Sequence, residues 1–135
     1  MTSNHPWEVI VNPNAGRKKG ARDWQRIANL LDQYRFQYRT SFTEGCGDAI
    51  TLTRAAIKQG ARYFIVVGGD GTMNEVVNGI LSQKEVASKE FVLGMISVGT
   101  GNDWGRMFDV PTDYEGAIKI IREGRVFLQD AGLVA

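Results

Sequence analysis

Apolar positions along the chain follow two rhythms. Short, nearly unbroken runs at residues 8–11, 36–40, 63–67 and 92–97 have the length and the β-branched or aromatic content of strands buried on both faces. Between them the spacing changes to three and four: Ala21, Trp24, Ile27, Ala28 and Leu31, then Ala49, Leu52, Thr53 and Ala56, each lay one apolar stripe along a helix. A third helix is predicted from Thr72, whose hydroxyl would cap the backbone while Glu75, three residues on, reaches back to close a capping box; Met73, Val76, Val77 and Ile80 then face a sheet. A second box, Thr112 to Glu115, follows Pro111 and opens a fourth helix with Ala117, Ile118 and Ile121 inward and Gly124 as its stop. Strands alternating with helices specify an α/β domain: a three-layer α/β/α sandwich around a mainly parallel sheet.

That pattern places one domain at residues 7–124, preceded by a frayed tail at 1–6 and joined through a polar surface connection at 82–89. A chain of 135 residues with 43% hydrophobic positions is large enough to bury a real core. Sixteen Lys and Arg against fifteen Asp and Glu leave a formal charge of +1, too little basic field to recruit nucleic acid. The single cysteine, Cys46, excludes an intramolecular disulfide and a cysteine zinc site; it reads as an ordinary buried or loop residue in a reducing cytoplasm. No apolar run approaches the ~20 residues that cross a bilayer, and the first six residues lack the basic head and apolar stretch of a secretion signal.

Chemistry concentrates where ligands bind in open parallel sheets, just after the carboxyl ends of the strands. Asn12-Pro13-Asn14-Ala15-Gly16-Arg17 follows the first strand, Gly68-Gly69-Asp70-Gly71-Thr72-Met73-Asn74-Glu75 the third, and Gly99-Thr100-Gly101-Asn102-Asp103 the fourth. Glycine lets a phosphate approach the backbone, and a helix that begins at Thr72 offers amides and a dipole favourable to anions. Thr72 and Thr100 add hydroxyl donors. Asp70 does not suit phosphate and fits instead a magnesium ion, a water or the proton of an attacking hydroxyl. The Walker A spacing is absent, and Trp104 stands where a dinucleotide fingerprint needs its third glycine. Trp24, Trp104, Met107 and the side chain of Met73 suit packing, and Asp48 suits a cap of the second helix.

Asn12-Pro13-x-Ala15-Gly16, Gly68-Gly69-Asp70-Gly71-Thr72-x-Asn74-Glu75-Val76 and Gly99-Thr100-Gly101-Asn102-Asp103, in that order, resemble the signature of the diacylglycerol kinase catalytic family, which includes bacterial lipid kinases, sphingosine kinases and ceramide kinases. Thr43, followed by Gly47-Asp48-Ala49, resembles a fourth element, the threonine that touches nucleotide phosphate. Gly-Gly-Asp-Gly-Thr alone is shared with NAD kinases, and phosphofructokinases carry a close variant; Gly-Thr-Gly-Asn-Asp narrows the likeness to the lipid branch. Ser97-Val98 replaces the family's usual Pro-Leu, and Arg17 stands where lysine is common.

The resemblance implies an NAD kinase/phosphofructokinase-like fold and an ATP-dependent lipid kinase using Mg2+. Its nucleotide would be held by Asn12, Gly16, Arg17, Thr43, Gly69, Asp70, Gly71, Thr72, Met73, Asn74, Glu75, Gly99, Thr100, Gly101 and Asn102, with Asp70 catalytic. Residues 127–132 resemble the family's crossing strand, which makes Asp130 a magnesium-linked residue and residues 125–135 the start of a crossover into a second, β-rich domain. On that reading the chain alone is inactive. The whole enzyme meets its lipid substrate peripherally, at the inner face of the cytoplasmic membrane, without a transmembrane segment and as a possible homodimer. The rival readings are an NAD kinase-like phosphotransferase and a non-catalytic nucleotide- or lipid-sensing module.

Overall fold

The computed structural model describes residues 6–98, 114–123, 127–129 and 132–134. Strands β1 (Trp7–Val11), β2 (Tyr38–Phe42), β3 (Tyr63–Gly68) and β4 (Val92–Ser97) form one parallel sheet in the order β2-β1-β3-β4. Helices α1 (Ala15–Gln33), α2 (Asp48–Lys58) and α3 (Asp70–Ser82) connect them in turn, a short 3-10 turn (Ser88–Glu90) precedes β4, and helix α4 (Tyr114–Arg122) follows it. Strands β5 (Phe127–Gln129) and β6 (Gly132–Val134) pair as a small antiparallel hairpin.

The three layers follow from strand alternation. Val9, Val11, Ile65, Val67 and Ile96 point to one face, where they pack with Ile27 and Leu31 of α1 and with Ala117, Ile118 and Ile121 of α4. Ile10, Phe64, Val66, Leu93 and Met95 point to the other, against Ala49, Ala56 and Ile57 of α2 and Met73, Val76 and Ile80 of α3. Both faces of β1, β3 and β4 are covered, so these strands read as continuous apolar runs, whereas the edge strand β2 (Tyr-Arg-Thr-Ser-Phe) has no buried residue.

The second strand lies two residues later than the sequence pattern suggests. Helix α1 ends in a Schellman motif: Arg35 N–H donates to the Asp32 carbonyl and Phe36 N–H to the Leu31 carbonyl, with Arg35 in the left-handed region at φ 63°. Phe36 is therefore buried by the turn itself, and its apolarity is not that of a strand residue. Helix α1 also starts early, at Ala15, with Gly16 and Lys18 at positive φ in an irregular opening. Gly20 seats this segment, because a Cβ there would stand 2.2 Å from the Asn12 carbonyl oxygen.

From β1 the chain leaves toward β2 through α1 on one face; from β3 it leaves toward β4 through α3 on the other. The strand order reverses between β1 and β3, and such a switch point opens a crevice beyond the strands' carboxyl ends.

Candidate functional site

Backbone hydrogen bonds carry the sheet one residue beyond its strands and bring the loop entrances to one rim. Thr43 N–H donates to the Val11 carbonyl at 2.9 Å, Asn12 N–H to Val67 at 2.9 Å, and Val98 N–H to Gly68 at 3.0 Å. A cleft of about 320 Å³ opens at this rim, lined by Asn12, Asn14, Thr43, Gly45, Cys46, Gly71, Thr72 and Glu75.

Asn12 joins the two sides of the switch point. Its Oδ1 accepts from the Asn14 backbone N–H at 3.0 Å, and its Nδ2 donates to Thr72 Oγ1 at 3.0 Å. The Asn14 amide can only donate, so the side-chain amide of Asn12 has one consistent orientation, with nitrogen toward Thr72. Thr72 Oγ1 thus accepts, which leaves its own proton to donate to a further acceptor. Gly68 permits this contact, since a Cβ there would press on Thr72 Oγ1 at 3.0 Å and on Asn12 Cβ at 3.4 Å.

The predicted capping box at Thr72 and Glu75 does not form. Helix α3 starts two residues earlier, at Asp70, with Gly69, which has no side chain to cap with, in extended conformation as its N-cap. Thr72 is already inside the first turn, turned toward Asn12, and Glu75 reaches across to α2: its carboxylate accepts from Gly47 N–H at 3.1 Å and Ala49 N–H at 3.3 Å. Asp48 does not cap α2 either. It is that helix's first residue, and its Oδ2 accepts from the Glu44 and Gly45 amides at 2.7 and 3.1 Å, closing the preceding turn.

The amides of Glu44, Gly45, Gly47 and Ala49 therefore have carboxylate partners, and α3, like α2, opens on a glycine N-cap. Gly45, Gly69 and Gly71 have unoccupied space within 4 Å of where a Cβ would stand, and none has positive φ. Neither packing against the described residues nor positive φ calls for glycine at these three positions, so the backbone there is open to close approach.

Of the sequence candidates, the structure gathers Asn12, Thr43, Gly71, Thr72 and Glu75 around the cleft, with Gly69 and half-buried Asp70 at the entrance of α3. Gly16 lies in the irregular start of α1; Arg17 shares that helix, and its side chain lies outside what is described. Met73 is 2% exposed, so its side chain belongs to the core, and Asn74 is exposed on α3 outside the cleft lining. Gly99, Thr100, Gly101, Asn102, Thr112, Gly124 and Asp130 lie outside the described residues. Sequence reasoning missed three lining residues. Asn14 and Gly45 sit just after strands, a position that signals a site; Cys46, exposed in the same turn, carried no signal. Among the described residues no three His, Cys, Asp or Glu side chains converge to hold a metal ion.

The sequence model of the diacylglycerol kinase catalytic domain matches residues 6–134. A diacylglycerol kinase of Staphylococcus saprophyticus is 37% identical over 124 residues, 92% of this chain and 39% of the relative. One from Staphylococcus carnosus is 35% identical over 124 residues with the same coverage of both. The crystal structure of a diacylglycerol kinase from Bacillus anthracis superposes with a TM-score of 0.74 at 27% identity, covering 93% of this chain and 42% of that one. The chain thus spans about two fifths of the length of the relatives it matches.

Proposed function

The chain belongs to the diacylglycerol kinase catalytic domain family, and we propose that it is the ATP-binding half of a lipid kinase that transfers the γ-phosphate of ATP to a lipid hydroxyl. The observation that carries this reading is the Asn12–Thr72 hydrogen bond across the switch point, beside the open-sided Gly71. It joins the loops after β1 and β3 into one wall and sets the Thr72 hydroxyl and the N-terminus of α3, which opens on Gly69, beside the same cleft.

Phosphoryl transfer asks a protein mainly for positioning and charge neutralisation. The first turn of α3 and the hydroxyls of Thr72 and Thr43 would receive phosphate oxygens. Gly71 keeps the backbone accessible to them, and Asn12 holds Thr72 in a donating orientation. Asp70, at the first position of α3, would polarise the acceptor hydroxyl or help organise magnesium. Mg2+ commonly binds through substrate phosphates with one or two carboxylates and several waters, without a dedicated protein cage. The acceptor lipid would be met peripherally, at the inner face of the cytoplasmic membrane; no helix among the described residues is long and apolar enough to cross a bilayer.

The test uses the full-length protein with labelled ATP, offering diacylglycerol in mixed micelles beside NAD. Label in the lipid, lost on Asp70→Asn substitution, is the expected result. Label in NAD instead, or full turnover by the Asp70→Asn protein, would refute the lipid acceptor or the aspartate's role respectively.

A further inference from the structure

Helix α2 begins at Asp48 after a glycine N-cap, Gly47 at φ 89°, which has no side chain with which to satisfy the helix's first amides. The missing acceptor comes from α3. Glu75, 28 positions away and half-buried, accepts from Gly47 N–H through Oε2 and from Ala49 N–H through Oε1, and the Cys46 thiol lies 3.9 Å from the same Oε2. Both oxygens of one carboxylate are thereby engaged with the turn that leads into α2. Asp48 closes that turn from inside by accepting from Glu44 and Gly45.

This turn forms one wall of the cleft, through Thr43, Gly45 and Cys46; α3 forms the facing wall, through Gly71 and Thr72. Only Glu75 belongs to the facing helix and also hydrogen-bonds, among the described contacts, to the turn's backbone. Two helix N-termini open near the same rim, and each favours an anion. A carboxylate seated on α2 neutralises one of them, which leaves the α3 end, beside the hydroxyls of Thr72 and Thr43, to a phosphate.

We propose that Glu75 is a positioning residue of the nucleotide site: an inter-helix cap that sets the distance between the Thr43–Cys46 wall and the Gly71–Thr72 wall and engages α2, not the nucleotide or its cation. The proposal rests on the nucleotide-binding reading above. A carboxylate hydrogen-bonded to two backbone amides has charge-assisted bonds, stronger than neutral ones. Losing it loosens the turn and frees the Thr43–Cys46 wall to shift away from Gly71 and Thr72.

The experiment compares Glu75→Ala and Glu75→Gln with the parent in the full-length protein, at a temperature where circular dichroism shows all three folded. Amide hydrogen exchange is followed at Gly47 and Ala49, and ADP affinity is measured by calorimetry with and without Mg2+. For Glu75→Ala, exchange at the two amides should quicken about tenfold or more and ADP affinity should fall about tenfold, the scale of a lost charge-assisted hydrogen bond. Glu75→Gln keeps one acceptor oxygen, so it should protect at least one of the amides and restore most of the affinity. In both variants the ratio of affinities with and without Mg2+ should equal the parent's.

Unchanged exchange at Gly47 and Ala49 in Glu75→Ala overturns the cap. Equal affinity losses for Gln and Ala, or a collapsed Mg2+ ratio, overturn the positioning role in favour of direct contact with nucleotide or metal. If the parent itself binds no ADP, the nucleotide reading fails, and the exchange comparison still decides the cap on its own.

Discussion

The side-chain amide of Asn12, just past the end of β1, donates to the hydroxyl of Thr72 in the first turn of α3 across sixty positions of sequence. Its other end accepts from the Asn14 amide, so both functions of one residue are committed. Asn12→Asp would keep the acceptor and lose the donor, placing a carboxylate where phosphate is expected. Calorimetry should show ATP affinity reduced at least about tenfold, because the carboxylate repels phosphate and the Thr72 hydroxyl can turn to donate to it instead. Unimpaired ATP binding by this variant would remove the anion site from the cleft.

Gly68 and Gly71 should respond oppositely to alanine. At Gly71 a Cβ meets nothing within 4 Å and sits in a helix, so Gly71→Ala should be neutral or stabilise by about 0.5 kcal/mol while weakening ATP binding, because the methyl projects from the cleft wall. At Gly68 the methyl would press on Thr72 Oγ1 at 3.0 Å and Thr72 Cβ at 3.1 Å, so Gly68→Ala should cost about 1 kcal/mol or more before any ligand is added. Thermal melts with and without ATP read both effects. A Gly71→Ala protein with parental affinity would mean that no ligand lies against that wall.

Thr53 is fully buried where α2 meets α3, and among the described residues its hydroxyl has no hydrogen-bond partner. A Cβ at Gly79 would stand 2.8 Å from Thr53 Cβ, which shows how closely the two helices approach there. Thr53→Val keeps the branched shape and removes the orphaned hydroxyl. Urea unfolding should show a gain of about 1 kcal/mol; a loss would show that the hydroxyl has an acceptor after all.

Helices α1 and α4 are tied by Tyr114 O–H donating to Asp23 and by Tyr34 O–H donating to Glu115, with the Arg26 guanidinium 5.5 Å from the centroid of the Tyr114 ring. Burial, and then the hydrogen bond to Asp23, push the Tyr114 phenol up from 10.0 to about 12. The folded state thus retains a proton that the unfolded chain gives up near pH 10. The contribution to stability is complete below that pH and fades as pH rises through about 12. Tyr114→Phe lacks the bond at every pH. The gap in urea midpoint between parent and variant should therefore be constant from neutral pH up to pH 10 and shrink between pH 10 and 12. A gap that stays level across that interval would contradict the coupling.

Much of this architecture was legible from periodicity. The β4 range agrees with its apolar run, β1 and β3 differ by one residue at one end, and the inward residues of α4, Ala117, Ile118 and Ile121, are those its spacing predicts. Such patterns are readable because the side-chain period of a strand or helix is a property of the local backbone. Strand β2 was misplaced because Phe36 is apolar for a different reason: it plugs the end of α1 after Arg35 takes the left-handed turn. A pattern of apolar residues does not distinguish a strand residue from a buried helix terminus.

The candidate site divides along the same line. Glycine-rich loops after strands are visible in sequence because they depend on residue type and on position relative to a strand, both local properties. Partnership is not local. Thr72 and Glu75 have the spacing of a capping box, yet once α3 begins at Asp70 their polar groups face Asn12 and the amides of Gly47 and Ala49, residues that only the strand order β2-β1-β3-β4 brings near. A hydroxyl or carboxylate takes the acceptor or donor that the packed helices leave within reach, and that is decided when the layers close around the sheet.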